Sequence, residues 1–480
     1  MNLFIKKPIS QLIESAEGGE YQLKRSLGAL NLISLGIGAI IGAGIFTLTG
    51  IAAAHNAGPA VVLSFVVAAI GCAFAGMCYS ELASMIPVAG SAYTYAYATM
   101  GEFMAWIIGW DLVLEYAVAS AVVAQGWSGY AVSFLTSIGI NIPAQLTTCS
   151  FNVITLSDGT QVHGLVNMPA IAVIVIISLL LMLGIKESAV VNDVIVVVKL
   201  LVVVAFITVG VHYINPHNYT PFIPPNTGTF GEFGISGIMR AAGIIFFAYI
   251  GFDTVSTAAQ EAHHPQRDIP RGIIGSLFIC TIIFIVFSAV LTGMLNYKAM
   301  NGDPAPVATA INLTPYPWLK VMVKLGIIAG LTSVILVMLL GQSRIFYAMS
   351  RDGLLPKLFS DIHPKWRTPW RSNLLFMVFT GFFAGFFPIS QLGNMTSIGT
   401  LLAFVIVCAG VMILRYTHPD LPRAYKCPYF PQFPVLGILV CLAMMTSLDA
   451  ETWWRLFIWL AIGLIIYFTY SRFNSKLNKK

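Results

Sequence analysis

A chain of 480 residues that is 57% hydrophobic and 10% charged is not a soluble globule, since soluble domains run about 25% charged. Its formal net charge of +6, from 26 Lys+Arg against 20 Asp+Glu, does not call for nucleic acid, because the positive residues sort to one side of a membrane. Seven cysteines with no CxxC pair give no support to zinc or redox chemistry, and neither a metal nor a cofactor is expected.

The polar stretch 1–25 lacks the apolar run ending in small residues that marks a cleavable signal peptide. Hydrophobic runs then place twelve spans, at 30–54, 60–85, 102–135, 168–183, 193–213, 235–260, 273–295, 321–349, 373–387, 393–415, 435–448 and 453–473. No Asp, Glu, Lys or Arg occurs between Ser26 and Ser80, which is room for two spans at roughly 20 residues each. An even number puts both termini on one side. Taking that side as cytoplasmic collects 20 of the 26 Lys and Arg, among them Lys24, Arg25, Lys186, Lys479 and Lys480, against five outside. The expectation is a multi-pass plasma-membrane protein with both termini cytoplasmic and lipid as its surroundings.

The first span contains LGIGAIIGAGIFTLT, with Gly36, Gly38, Gly42 and Gly44. Each glycine in a helix costs roughly 1 kcal/mol relative to alanine, so the cluster Gly42-Ala43-Gly44 favours an interrupted helix. A membrane tolerates a break only where protein or a watery cavity satisfies the freed groups. The break then offers N–H groups to a carboxylate and carbonyls to an ammonium, beside the half-helix dipoles. Small residues for close helix packing are the plainer reading. After the second span, PVAGSAYTYAYATMG at 87–101 reads as an interfacial helix.

In the third span, WDLVLEYAV sets Asp111 and Glu115 one turn apart on one face. Glu115 is the deeper and needs a partner, with Lys199 nearest in type. Tyr116 has a hydroxyl for a ligand carboxylate, although aromatic packing is the default. The long outer loop 136–167 precedes the fourth span. In the fifth, Lys199 lies in DVIVVVKLLVVVAF, ~9 Å along the helix from Asp193. Its ammonium either snorkels to the interface or faces inward, standing in for a bound metal cation and able to exchange a proton during transport. These two buried charges, Lys199 and Glu115, predict proton rather than sodium coupling.

Broken helices recur at matching positions in the halves of inverted-repeat transporters, so the sixth span should break as the first does. It carries FFAYIGFDTV, with Gly251 and Asp253. Asp253 lies roughly 20 Å along a helix from Arg240, too deep for an idle carboxylate. Capping the second half-helix is its favoured role; attracting a cationic substrate side chain, or gating, is the sharper one. His263 and His264 follow in EAHHPQRDIPR, where adjacent histidines share no helix face and a solvated loop is expected. A second outer loop occupies 296–320. In the eighth span, Thr332 and Ser333 are candidates for a side-chain pocket, although such hydroxyls more often bond their own backbone.

These residues resemble the amino acid–polyamine–organocation superfamily, and within it the cationic amino acid transporter family. The most specific pieces are LKRSLGALNLISLGIGAIIGAGIF, GEFMAWIIGWDLVLEYAVASAVVAQGWS, FFAYIGFDTVSTAAQEAHHPQRDIPRGI and GQSRIFYAMSRDGLLP, and the likeness covers nearly the whole chain. It implies an all-α polytopic fold with 12 transmembrane helices, a LeuT-type 5+5 inverted repeat plus two C-terminal helices. The divisions are then a cytoplasmic segment 1–29, repeats at 30–213 and 231–415, helices 11 and 12 at 433–473, and a tail 474–480. It also implies alternating access to a central site. There Ile40, Phe247, Ala248 and Ile250 offer carbonyls to the amino group, amides of Gly42, Ala43 and Gly44 hold the carboxylate, and the Phe247 ring is an outer gate. Lys199 matches the fifth-helix lysine of sodium-independent relatives. One departure is that Ala262, His263 and His264 precede Pro265, where the family usually has Glu-Glu or Glu-Val before Asn-Pro.

The leading function is a proton-coupled, sodium-independent secondary transporter of cationic or small neutral L-amino acids. Its rival is an amino acid or polyamine exchanger, and a sensor or channel reusing the same site comes third. An enzyme has least support, since no HExxH or GxSxG motif falls within a span. Main-chain contacts cannot choose among side chains, so specificity is not readable, nor is any small single-span helical or lipid partner.

Overall fold

The apolar runs do form helices. In the computed structural model, which describes residues 3–9, 12, 27–86, 88, 91–155, 161–184 and 189–477, each predicted span falls on helix. Among these residues eight helices are long and apolar enough to cross a membrane, and Ala29–Ile40, Met168–Met182 and Gln432–Ser447 are shorter apolar helices. One of the eight, Gly44–Met85, is turned at Gly58, where φ is +60°. The chain is thus an all-α polytopic membrane protein. Lys24, Arg25, Lys186, Lys479 and Lys480 of the charge count lie outside the described residues.

The lipid-facing surface is written in helical periodicity. On the fifth span (Ala189–Gly210), Val194, Val197, Leu201 and Val204 recur at three- and four-residue spacing and are all exposed. Lys199, between them in sequence, points the other way and is 1% exposed. Snorkelling is therefore not what this lysine does.

Both described termini meet at one end of the bundle. Leu3 and Ile5 accept main-chain bonds from Phe103 and Glu102, and Lys7 pairs with Asp352 at 2.9 Å. From the other terminus, Lys476 donates its amide to the Asp352 carbonyl and Ser475 bonds Glu102. At the same end a buried knot ties the second span to the tenth: Arg415 grips Glu81 through two nitrogens at 2.9 and 2.5 Å. Arg423 adds a third contact to Glu81 at 3.2 Å, and the Cys427 amide a fourth at 2.8 Å.

Three local features differ from the sequence reading. The segment expected to be interfacial forms a helix at Ser91–Thr99 in which every residue is buried (residues 87, 89 and 90 lie outside the described residues). Its tyrosines pack into protein: Tyr95 meets Tyr79 edge-on and Tyr93 donates to Asp352. The loop 136–167 carries a small antiparallel hairpin, Val153–Thr155 with Gln161–His163, and the loop 296–320 a helix, Pro306–Asn312. Finally, wide π turns interrupt the first span at Gly44–Leu48 and the third at Leu114–Val118. Such turns gather at functional sites.

Candidate functional site

The first and sixth spans both come apart in mid-course. Helix Ala29–Ile40 stops when Ile41 turns extended (φ −73°, ψ 100°), and helical structure resumes with the π turn at Gly44. The last regular bond runs from the Ile41 amide to the Ile37 carbonyl at 2.9 Å. Beyond it, among the described residues, the amides of Gly42, Ala43 and Gly44 donate to no main-chain carbonyl, and the carbonyls of Ala39 and Ile40 accept from no main-chain amide. In the sixth span, Gly234–Ile245 tightens into a 3₁₀ turn at Phe246–Tyr249, then Ile250 is extended (φ −60°, ψ 134°). Gly251 has φ +119°, which side-chain-bearing residues rarely adopt. A short helix restarts at Thr254–Thr257.

The two breaks touch. A Cβ on Gly44 would strike the main chain of Ala248, and one on Gly251 would lie 2.9 Å from the main chain of Ala39. Glycine is needed at both places so that one backbone can approach the other. Gly42 is different: a Cβ there would meet Val334 of the eighth span at an ordinary 3.5 Å and the Ile40 carbonyl at 4.0 Å. Of the residues expected to present carbonyls, Ile40, Ala248 and Ile250 have no main-chain donor, whereas the Phe247 carbonyl already accepts from the Ile250 amide at 3.1 Å.

Lys199 comes to the end of the first half-helix. Its Nζ donates to the Gly38 carbonyl at 2.6 Å, and its methylenes lie against Gly330 of the eighth span. A cation here meets the negative end of the Ala29–Ile40 dipole and one of its orphan carbonyls. The pairing of Lys199 with Glu115 does not occur. Glu115 instead lies against Asp253 and Thr400, and its Oε1 has no hydrogen-bond partner.

Asp253 occupies the N-cap position of Thr254–Thr257 without a side-chain capping bond, contrary to the favoured reading. Its Oδ2 accepts from the Tyr116 hydroxyl at 2.6 Å and from Ser91 Oγ at 3.0 Å. Tyr116 is consequently committed to protein. Ser91, with φ 51°, also bonds the Tyr79 hydroxyl. Asp111, a turn before Glu115, is buried with Oδ1 unpartnered, facing Gly399 of the tenth span. Three elements thus converge on two carboxylates: the π turn of the third span, the break of the sixth, and the buried helix between spans two and three. Ser91 and Thr400 were not singled out in the sequence, where nothing distinguishes them from other serines and threonines.

The remaining candidates are peripheral. Thr332 donates to its own backbone at Ile328 (2.8 Å) and accepts from Trp127 Nε1 (2.9 Å). Ser333 is buried beside Val334. His263 and His264 are exposed, and the His263 amide bonds the Leu27 carbonyl just ahead of the first span.

Against known proteins, the family profile described as amino acid permease matches residues 27–469. The chain is 47% identical over 478 residues to the branched-chain amino acid permease BcaP of Bacillus subtilis (strain 168), covering 100% of this chain and 99% of that one. It is 42% identical over 479 residues to the methylthioribose transporter of the same organism, covering 100% of each. With the vacuolar cationic amino acid transporter 4 of Arabidopsis thaliana it shares 37% identity over 420 residues, which is 87% of this chain and 68% of the relative. A polytopic helical fold and a match over most of the chain establish it as a transporter, not an enzyme, belonging to the amino acid permease family of the amino acid–polyamine–organocation superfamily.

Proposed function

We propose that this chain carries small neutral L-amino acids inward across the plasma membrane, driven by protons and independent of sodium, by alternating access to the gap between the two broken spans. Both termini then face the cytoplasm. The repeats are 30–213 and 231–415, followed by helices 11 and 12 at 433–473. The observation that carries the reading is the contact of two unwound segments whose amides at Gly42–Gly44 and carbonyls at Ile40, Ala248 and Ile250 lack main-chain partners. The amides receive the substrate carboxylate at a helix start and the carbonyls its ammonium. Val334 stands on the side-chain side of this gap, beside Gly42, and the Phe247 ring closes it from outside.

A neutral rather than cationic side chain fits better because Asp253 is buried and its Oδ2 already accepts from both Tyr116 and Ser91. The full-length likeness to a relative named as a branched-chain amino acid permease supports the same choice. For the proton, Glu115 and Asp253 meet in a buried site where both are oxygen acceptors. Two neighbouring buried carboxylates repel each other when both are charged, and this pair is where the transported proton is placed. Lys199 holds the first half-helix from the other side, in the place of a metal cation.

Proteoliposome uptake of labelled leucine under an inward proton gradient tests this reading. It should be sodium-independent and saturable, and should fall to excess alanine or isoleucine but not to arginine. Uptake only from preloaded vesicles, indifferent to a pH step, would make the protein an exchanger. Displacement of leucine by methylthioribose, the substrate in the name of the second relative, would show that the site does not require a zwitterion.

A further inference from the structure

At the end of the bundle where both termini meet, a cavity of ≈ 600 Å³ opens between the Ser91–Thr99 helix, the last turns of the eighth span and the loop entering the ninth. Neither broken segment lines it. Five cationic side chains do, Lys7, Arg344, Arg351, Arg367 and Lys476, against a single carboxylate, Asp352. That carboxylate is taken: it accepts from Lys7 Nζ at 2.9 Å and from the Tyr93 hydroxyl at 2.8 Å. Among the described residues, the side chains of Arg344, Arg367 and Lys476 make no hydrogen bond or ion pair, and Arg351 only lies over the Tyr347 ring.

The backbone that carries these cations is ordered, while the residues Arg344, Arg351, Arg367 and Lys476 are exposed. Arg344 sits seven residues before Arg351 on the eighth span, roughly 10 Å deeper along the helix. Arg367 is fixed in a left-handed conformation (φ 54°) by a closed turn. In it the His363 amide bonds the Thr368 carbonyl at 2.9 Å, the Arg367 amide bonds the His363 carbonyl at 2.9 Å, and Thr368 Oγ1 donates to the Met182 carbonyl at 2.7 Å. Backbone strain kept by such over-determination collects at functional positions. Among tyrosines and hydroxyl side chains, the lining also presents aliphatic groups from Val88, Leu181, Leu340 and Ile362.

We propose that this cavity binds a phosphate-bearing anion. Guanidinium forks match phosphate oxygens in pairs, and an anion relieves the mutual repulsion of five cations that, among the described residues, only Asp352 and, toward Arg344, Glu261 offset. The aliphatic groups accept the apolar part of the same molecule. Arg344 and Arg367 are the principal contacts, with Lys476 completing the charge. The phosphate comes either from an anionic phospholipid of the adjoining leaflet or from a soluble phosphorylated compound. The site is independent of which substrate the broken helices carry.

The test uses the full chain in phosphatidylcholine nanodiscs with two probes, phosphatidylglycerol added to the disc and inorganic pyrophosphate added to the buffer. Native mass spectrometry reads retained lipid, and thermal melting reads stabilisation by either probe. The wild type should retain one probe or both. R344Q/R367Q should weaken that binding by at least about tenfold, the loss expected for hydrogen bonds to charged groups. K298Q, an exposed lysine in the second outer loop, should bind as the wild type does. Phosphatidylglycerol alone identifies a lipid site, and pyrophosphate alone a soluble-ligand site. If the double variant does not fold, R367Q by itself, lying in a loop, is read the same way. No binding of either probe to the wild type, or binding unchanged in the variant, would overturn the proposal.

Discussion

Two glycines two residues apart should respond to the same substitution in opposite ways. A methyl group on Gly44 has to enter the main chain of Ala248, which is no flexible side chain and cannot step aside. Overpacking of this kind costs typically about 1–3 kcal/mol, and a backbone obstacle puts G44A at the upper end. That is a roughly 100-fold loss in any state where the two breaks must touch. A methyl on Gly42 meets nothing nearer than Val334 at an ordinary 3.5 Å, and Gly42 is not among the positive-φ glycines. G42A should therefore change stability by no more than about 0.5 kcal/mol. Thermal melting of the purified variants compares the two directly, and labelled leucine uptake in proteoliposomes follows whether the site still closes. G44A should melt well below the wild type and lose uptake, with G42A melting close to it. Equal melting of the two variants would refute the contact between the unwound segments.

Lys199→Met removes a charge-assisted bond to Gly38, costing about 1.5–3 kcal/mol, and should abolish proton-driven uptake; full uptake under a pH gradient would end the lysine's proposed role. Glu115→Gln fixes the acid pair in its protonated form, so counterflow between loaded vesicles should survive while stimulation by external acid disappears; retained stimulation would place the proton elsewhere. Glu81→Gln leaves Arg415 and Arg423 without their shared anion in a buried site, and breaking such a pair costs about 3–5 kcal/mol, so the variant should melt markedly lower or fail to accumulate. Cys149 lies in the loop 136–167, outside under the proposed topology, yet is 4% exposed, and burial raises its thiol above the ordinary range. Since the thiolate is what reacts, maleimide labelling from outside should be slow at neutral pH and should accelerate only at a higher pH than for a free cysteine; rapid labelling at pH 7 would contradict the loop packing.

How much of this was legible in the residues depends on the range of the interaction. The breaks were legible because glycine acts locally: Gly42-Ala43-Gly44 and Gly251 weaken a helix whatever surrounds them. The apolar spans were legible for the same reason, each carrying its own periodicity. Partnerships were not. Tyr116 and Asp253 lie 137 positions apart, Lys199 and Gly38 161, and Arg415 and Glu81 334. No single-segment pattern encodes such pairs, which is why the sequence matches Glu115 with Lys199 by charge alone and offers Asp253 as a cap. The helix Ser91–Thr99 reads as interfacial from sequence because its aromatic, small-residue composition suits either a membrane surface or a packed core. Only the tertiary fold shows Ser91 reaching Asp253. The π turn around Glu115 and Tyr116 left no trace either, since its residues are ordinary helix formers.

The central claim is that the two unwound segments present main-chain groups to a zwitterion. A cryo-EM map of the protein with L-leucine bound tests it most directly. The account predicts the ligand carboxylate within hydrogen-bond reach of the Gly42–Gly44 amides and its ammonium at the carbonyls of Ile40, Ala248 and Ile250. Leucine bound away from both segments, or a map in which the first and sixth spans run as unbroken helices, would contradict it.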